Sequence, residues 1–176
     1  MKVFVINGYP KSGKDQFVQY CKESCGNNYM IINLVTSTPA KEALKCLGWD
    51  GKEKTPEIRL YLYEFMRVAE EFDGIFDWVK RSIDLYVSWF ENNPRLRDSK
   101  EVIVFIHSRE PYNIIKYQAE FDAKTILLIN PKVESAGNNP SDKGVENFDY
   151  DYYIYNDGDL EDLRETAREF MEGEVL

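Results

Sequence analysis

Short apolar runs alternate with segments of helical periodicity along the chain, and this alternation constrains the fold most strongly. The runs that read as buried strands are residues 2–7, 29–35, 101–107, 123–130 and 151–155. Between them, apolar residues recur every three or four positions, as they do on one face of a helix. Strands that alternate with helices pair in parallel through right-handed crossovers, so helices cover both faces of the sheet. The sequence therefore predicts an α/β three-layer sandwich with a five-stranded parallel sheet.

Two long connections stand out from this alternation. Between the second and third strands, residues 36–90 hold a helical insertion, in which Thr55 is a good helix cap and Pro56 suits the first turn. Residues 131–150 form a polar, poorly periodic stretch that is too long for an ordinary connection and has the position of a lid-like loop. Because 176 residues are enough for one core but not comfortably for two, we expect a single domain over residues 1–176.

The charge and the cysteines exclude several classes of protein. The chain has 31 acidic and 22 basic residues, for a net charge of -9. Since an excess of Lys and Arg drives binding to phosphate backbones, we expect no nucleic-acid partner and no membrane partner. No apolar run reaches the roughly 18–20 residues of a membrane span, which indicates a cytoplasmic protein. The cysteines Cys21, Cys25 and Cys46 form no C-x-x-C pair, so we expect buried, reduced thiols.

The stretch GYPKSGKDQF, residues 8–17, lies between the first predicted strand and the first predicted helix. It matches the phosphate-binding pattern G-x-x-x-x-G-K-[ST] except at Asp15, which stands in place of a hydroxyl residue. Gly8 and Gly13 let the main chain curl around a phosphate, and the following helix adds the positive end of its dipole. Lys14 can reach the terminal phosphates. The pattern favours a site for a nucleoside triphosphate, the alternative being a structural glycine turn.

Asp15 has two possible roles. A carboxylate beside triphosphate oxygens is repelled unless a metal ion lies between them, so Asp15 can coordinate Mg²⁺ directly or through water. It can instead turn aside and stabilise the amino end of the helix. Of the two, the sequence favours the role linked to the metal.

Several motifs resemble those of a known family. GYPKSGKD resembles the GKD form of the loop in phage-type deoxynucleoside monophosphate kinases and in animal-type phosphomevalonate kinases, P-loop kinases related in fold to adenylate kinase. PAKEAL (39–44), the unit from VFIHSREP to AKTILLINP (104–131) and NDGDLEDL (156–163) are similar to segments of the phage-type kinases. The resemblance touches most of the chain, and GKD and NDG are its sharp motifs.

The resemblance implies a P-loop NTPase fold and transfer of a phosphoryl group from ATP, with Mg²⁺, to a nucleoside or deoxynucleoside monophosphate. The residues it places on the ATP phosphates are Gly8, Lys11, Ser12, Gly13, Lys14, Asp15 and Gln16, with Asp15 as metal ligand. It places Asn156, Asp157 and Gly158 against the adenine. The resemblance implies that Lys14 and Arg109 are the catalytic cations. Lys41, Lys54 and Arg59 are candidate contacts for the acceptor's anion. The alternative for each is an ordinary surface charge, and the sequence favours that alternative for Lys54 and Arg59.

Other functions stay open from the sequence. One is a small-metabolite kinase of the phosphomevalonate type, and another is a nucleotide-binding protein without turnover. His107 stands where the family often has an acidic residue, and we expect it to be a hydrogen-bonded residue at the strand end rather than a catalytic base. The lid-like loop contains no arginine. The partner is expected to be a small nucleotide, and the protein a monomer or homodimer.

Overall fold

A computed structural model describes residues 1–26, 29–93, 101–133 and 145–175. Its strands are β1 (Lys2–Asn7), β2 (Tyr29–Val35), β3 (Glu101–His107), β4 (Lys124–Ile129) and β5 (Tyr152–Tyr155). Its helices are α1 (Lys14–Cys25), α2 (Thr38–Cys46), α3 (Pro56–Glu70), α4 (Gly74–Glu91), α5 (Pro111–Phe121) and α6 (Leu160–Glu174), with a 3₁₀ turn at Val145–Asn147.

The strands form one parallel sheet in the order β2-β3-β1-β4-β5. β1 lies in the middle, between β3 and β4. Because successive side chains of a strand point to opposite faces, Phe4 and Ile6 of β1 enter one half of the core, and Val3 and Val5 enter the other. The predicted α/β three-layer sandwich with a five-stranded parallel sheet is confirmed.

Different helices cover the two faces of the sheet. α1 and α6 pack together on one face. There the ring of Phe170 contacts the rings of Phe4 and Phe17. α4 and α5 cover the other face, with Val79 of α4 and Ile114 of α5 buried. α4 belongs to the segment predicted as a helical insertion, but it is part of one helical layer of the sandwich. α3 is more peripheral, since Ala69 is its one buried residue.

A local sequence signal sets the start of α3, whereas tertiary contacts hold the carboxyl end of α6. Thr55 caps α3 as predicted, its Oγ1 accepting a hydrogen bond from the amide of Ile58 at 3.4 Å. α6 continues past Met171, its last buried residue, to Glu174. The carbonyl of Glu174 accepts a hydrogen bond from Lys2 Nζ at 2.6 Å, and its carboxylate pairs with Lys124 at 2.9 Å.

The described residues include only part of the segment predicted as a lid-like loop. Its residues 134–144 lie outside the described residues. Val145 and Tyr150 at its carboxyl end are buried against the sandwich. The expected burial of the thiols holds for Cys21 and Cys25, but Cys46 is exposed at the end of the short helix α2. No helix within the described residues has the length and apolarity needed to cross a membrane.

The topology creates a crevice at the carboxyl ends of β1 and β3. The chain leaves β1 into α1, which lies on one face of the sheet, and leaves the neighbouring β3 into α5, which lies on the other. Such diverging loops mark the place where open parallel sheets bind their ligands. The loop from Gly8 to Gly13 opens into this crevice.

Candidate functional site

The end of β1 is anchored by Asn7, a fully buried residue that the sequence analysis overlooked. Its Oδ1 accepts a hydrogen bond from the amide of Gly8 at 2.7 Å. Its Nδ2 donates to the carbonyl of Arg109 at 3.2 Å and to the hydroxyl of Tyr150 at 2.7 Å. One amide side chain therefore ties the start of the loop to the backbone of the predicted catalytic arginine. A polar residue at the end of an otherwise apolar strand was the available signal.

Both glycines of the loop have a backbone conformation that residues with a side chain rarely adopt. Gly8 has φ 146°, and a Cβ there would lie 2.4 Å from the carbonyl oxygen of Leu128 in β4. Gly13 has φ 104°, and a Cβ there would lie 2.5 Å from Nδ2 of Asn156. Lys11 is left-handed as well, with φ 67°. Close contacts and left-handed backbone together give the loop a tightly curled course.

The amino end of α1 carries amide groups that lack an acceptor among the described residues. Gly13 is the N-cap and provides no side-chain hydrogen bond, and the first helical bond runs from the amide of Phe17 to the carbonyl of Gly13 at 2.8 Å. Within the described chain, the amides of Asp15 and Gln16 have no acceptor. These donors and the helix dipole make the loop suited to an anion.

The ammonium group of Lys14 lies within the loop. It donates hydrogen bonds to the carbonyls of Gly8 at 2.6 Å and Tyr9 at 2.7 Å, and to Oγ of the buried Ser12 at 3.3 Å. The positive charge is therefore held beside the amides of the first helical turn. The loop thus holds one positive charge in its curve on a chain whose net charge is negative.

Asn156 was predicted to lie against an adenine, and in the structure its side chain supports the loop. Its Nδ2 donates to the carbonyl of Ser12 at 2.8 Å, and its own amide continues the sheet by bonding to Ile129 O at 2.7 Å. Asp157 and Gly158 follow on the surface, where the carbonyl of Gly158 accepts from Lys132 Nζ at 3.4 Å. The NDG segment thus borders the loop.

Asp15 and His107 face each other across the crevice. Asp15 is 87% exposed, and its Oδ1 is 3.8 Å from Nδ1 of the buried His107. Burial lowers the pKa of His107 to about 4; Asp15 opposes this shift, and Lys14 and Lys41 add to it. His107 is therefore neutral at physiological pH. Its backbone carbonyl accepts hydrogen bonds from the Thr36 hydroxyl at 2.8 Å and amide at 3.3 Å. The expected hydrogen bonding of the side chain is not seen at Nε2, which is buried and has no partner among the described residues.

The predicted acceptor residues lie close enough to influence one another. Burial lowers the pKa of Lys41, with Asp15 opposing the shift and Arg109 adding to it. Burial also lowers the pKa of Lys54, and Lys41, Arg59 and Arg109 contribute through their positive charge. In the described parts of the chain, no carboxylate lies within salt-bridge distance of Lys41, Lys54 or Arg59. The structure thus brings four cations close together. They are Lys41 of α2, Lys54 between α2 and α3, Arg59 of α3 and Arg109, which follows β3.

A magnetic resonance titration will test the environment of His107, the only histidine of the chain. Because its folded pKa of about 4 lies below the ordinary value of 6.5, we expect no titration of its imidazole between about pH 5.5 and 8. The unfolded chain takes up this proton first on acidification, so stability should fall as the pH drops from 6.5 towards 4. His107→Asn should remove that part of the acid destabilisation. A midpoint near 6.5 in the native protein would contradict the burial argument.

Known proteins resemble this chain in structure but not in sequence. No protein-family model matches it, and no curated protein matches it in sequence. TT1252 from Thermus thermophilus superposes with a TM-score of 0.55 at 17% identity, covering 99% of this chain and 98% of its own. A sugar kinase from Janibacter sp. HTCC2649 gives a TM-score of 0.42 at 15% identity, covering 98% of this chain and 95% of its own. The likeness to the Thermus protein supports the fold described above.

Proposed function

We propose that this protein is a P-loop nucleotide kinase, which transfers the γ-phosphoryl group of ATP to a nucleoside or deoxynucleoside monophosphate. The observation that carries the proposal is the curled loop from Gly8 to Asp15, with Lys14 inside it, beside a second group of cations. The loop alone would account for ATP binding. A separate set of cations near the same strand ends suggests that a second anion binds there.

The loop and Lys14 would bind the triphosphate. Amides of the first turn of α1 can donate to phosphate oxygens, and the Lys14 ammonium can exchange the carbonyls of Gly8 and Tyr9 for them. Arg109 has a planar guanidinium suited to paired hydrogen bonds with phosphate, and Asn7 fixes its backbone. Transfer of this kind needs mainly positioning and positive charge around the moving phosphoryl group.

The bond changes in the proposed reaction need no catalytic base. An oxygen of the acceptor phosphate forms a bond to the γ-phosphorus while the bond from that phosphorus to the leaving oxygen of ADP breaks. Because a phosphate monoester is largely a dianion at neutral pH, the attacking oxygen carries no proton. A neutral, buried His107 at the end of β3 is compatible with this chemistry.

Asp15 fits the metal that ATP usually carries. Mg²⁺ in kinases is commonly held by one or two carboxylates together with phosphate oxygens. No group of three or more His, Cys, Asp or Glu side chains comes together in the part of the chain that the structure describes. Asp15, exposed at the end of the loop, is the carboxylate that would hold Mg²⁺. Bound there, the ion would neutralise charge on the triphosphate.

A turnover screen tests the proposal and identifies the acceptor. Purified protein with Mg²⁺ and ATP is offered each common ribo- and deoxyribonucleoside monophosphate, and ADP release is followed by a coupled assay. We expect release that depends on one or a few of these acceptors. Arg59→Ala should then raise the KM for the acceptor about tenfold, without changing the KM for ATP. Arg81→Ala, on the exposed surface of α4, is the matched control.

The screen also separates the alternative functions. ADP release with phosphorylated metabolites but with no nucleotide would favour a small-metabolite kinase. ATP binding without ADP release for any acceptor would favour a nucleotide-binding protein without turnover, which His107 in a usually acidic position would allow. An absence of both ATP binding and turnover would refute the proposal.

A further inference from the structure

The carboxyl end of α3 meets α5 through a buried polar pair that no part of the proposed reaction uses. Asn113 is only 3% exposed, and its Nδ2 donates a hydrogen bond to Glu70 Oε1 at 2.8 Å. The other oxygens of the pair, Glu70 Oε2 and Asn113 Oδ1, are buried and have no hydrogen-bond donor among the described residues. The hydroxyl of Tyr117, on the next turn of α5, is also buried and has no hydrogen-bond partner in the described parts of the chain. Buried polar atoms left in this state are rare in native proteins.

A single proton would satisfy both unpaired oxygens. A carboxylic acid and a primary amide have complementary edges, because the amide N–H donates to one carboxyl oxygen while the acid O–H donates to the amide oxygen. The first of these bonds is present between Asn113 and Glu70. We propose that Glu70 is a neutral carboxylic acid, whose Oε2–H donates to Asn113 Oδ1, and that this acid–amide pair fastens α3 to α5.

The charged groups around Glu70 are compatible with a neutral acid. Burial raises the pKa of Glu70, and the negative charge of Asp73 adds to this rise, while the Asn113 hydrogen bond and Lys116 of α5 oppose it. Lys116 forms an ion pair with Asp73, which weakens its pull on Glu70. Tyr117 of α5 faces the same group, and its own pKa is raised by burial and by Glu70.

The pair makes the attachment of α3 dependent on pH. The folded protein holds the Glu70 proton more tightly than the unfolded chain does, so the pair stabilises the fold fully below the ordinary pKa of 4.5. The stabilisation is lost as the pH rises through the elevated pKa of the folded state. α3 carries Arg59, and α5 begins two residues after Arg109, so the pair also connects the two elements that flank the cation group. The inference concerns the unliganded protein and does not depend on the proposed reaction.

Glu70→Gln tests the inference, because a glutamine amide offers Asn113 a permanent N–H donor in place of the acid O–H. At pH 8 we expect Glu70→Gln to melt about 3 °C above the wild type, and at pH 5 we expect equal melting temperatures. Glu71→Gln, a change at the neighbouring exposed residue, should show no such dependence on pH. A difference between Glu70→Gln and wild type that stays constant from pH 5 to 8 would overturn the proposal.

A direct titration keeps the test informative if Glu70→Gln does not fold. Carbon-13 resonance of the glutamate carboxyl groups in the wild-type protein should show one group with a midpoint well above that of the exposed glutamates. A Glu70 that titrates together with the surface glutamates of the wild type would show that it is an ordinary carboxylate, and the proposal would fall.

Discussion

Lys14→Ala is expected to lower kcat/KM for ATP by about 10²–10³-fold, which is typical of removing one fixed cation or donor from a transfer site. The Lys14 ammonium is held in the curve of the loop by the carbonyls of Gly8 and Tyr9 and by Ser12 Oγ. It is thus positioned before a phosphate arrives, and its loss removes a full positive charge beside the amides of α1. Affinity for ATP should fall together with the rate.

The measurements are calorimetric titration with Mg²⁺ and ATP and steady-state turnover with the acceptor found in the screen. Lys22→Ala provides the control, because Lys22 is exposed at the far end of the same helix and should leave both quantities unchanged. The melting temperature of each variant shows whether the loop still folds. If Lys14→Ala binds ATP as tightly as the wild type, the phosphates do not occupy this loop.

Gly8→Ala is expected to destabilise the protein by about 3 kcal/mol or more, which corresponds to a fall in Tm of about 6–12 °C. A Cβ at Gly8 would come within 2.4 Å of the Leu128 carbonyl oxygen, and that oxygen belongs to the backbone of a central strand and cannot swing away. The φ of 146° adds strain, because residues with a side chain rarely adopt it. Either the loop or the backbone of β4 at Leu128 must move to relieve the contact.

Denaturant unfolding of wild type and variant measures this cost. Gly173→Ala is the matched control: Gly173 lies in α6, and a Cβ there meets nothing within 4 Å. That change should be neutral or stabilise the protein by up to about 1 kcal/mol, because alanine favours helix. Equal stability of Gly8→Ala and wild type would mean that the close contact with Leu128 is not present in solution.

The fold class follows from the sequence because its signals are local. Each strand is marked by its own apolar run, and each helix by the period of its apolar residues, so Lys2–Asn7 and Lys14–Cys25 can be recognised without reference to the remainder of the chain. The glycine loop between them is equally local. From these elements the parallel sandwich and a curled glycine loop at the end of its first strand were predictable.

The site as a whole could not be assembled in this way. Asn156 supports the loop through Ser12, 144 residues away in sequence, and Asn7 reaches Tyr150 across 143 residues. These contacts depend on the strand order β2-β3-β1-β4-β5, which places β1 in the middle of the sheet. No periodic pattern encodes a hydrogen bond between residues so far apart in sequence, so sequence analysis assigned Asn156 only to an adenine and overlooked Asn7.

The sequence by itself determined which segments become strands and helices, and where a curled, glycine-dependent loop must lie, because the backbone preferences and apolar periods of neighbouring residues decide these features. Only the tertiary structure decided that Lys41, Lys54, Arg59 and Arg109 influence one another, and that Glu70 meets Asn113 in a buried place. The charge and hydrogen-bonding state of a side chain depends on the groups that packing brings against it and on the water that packing removes.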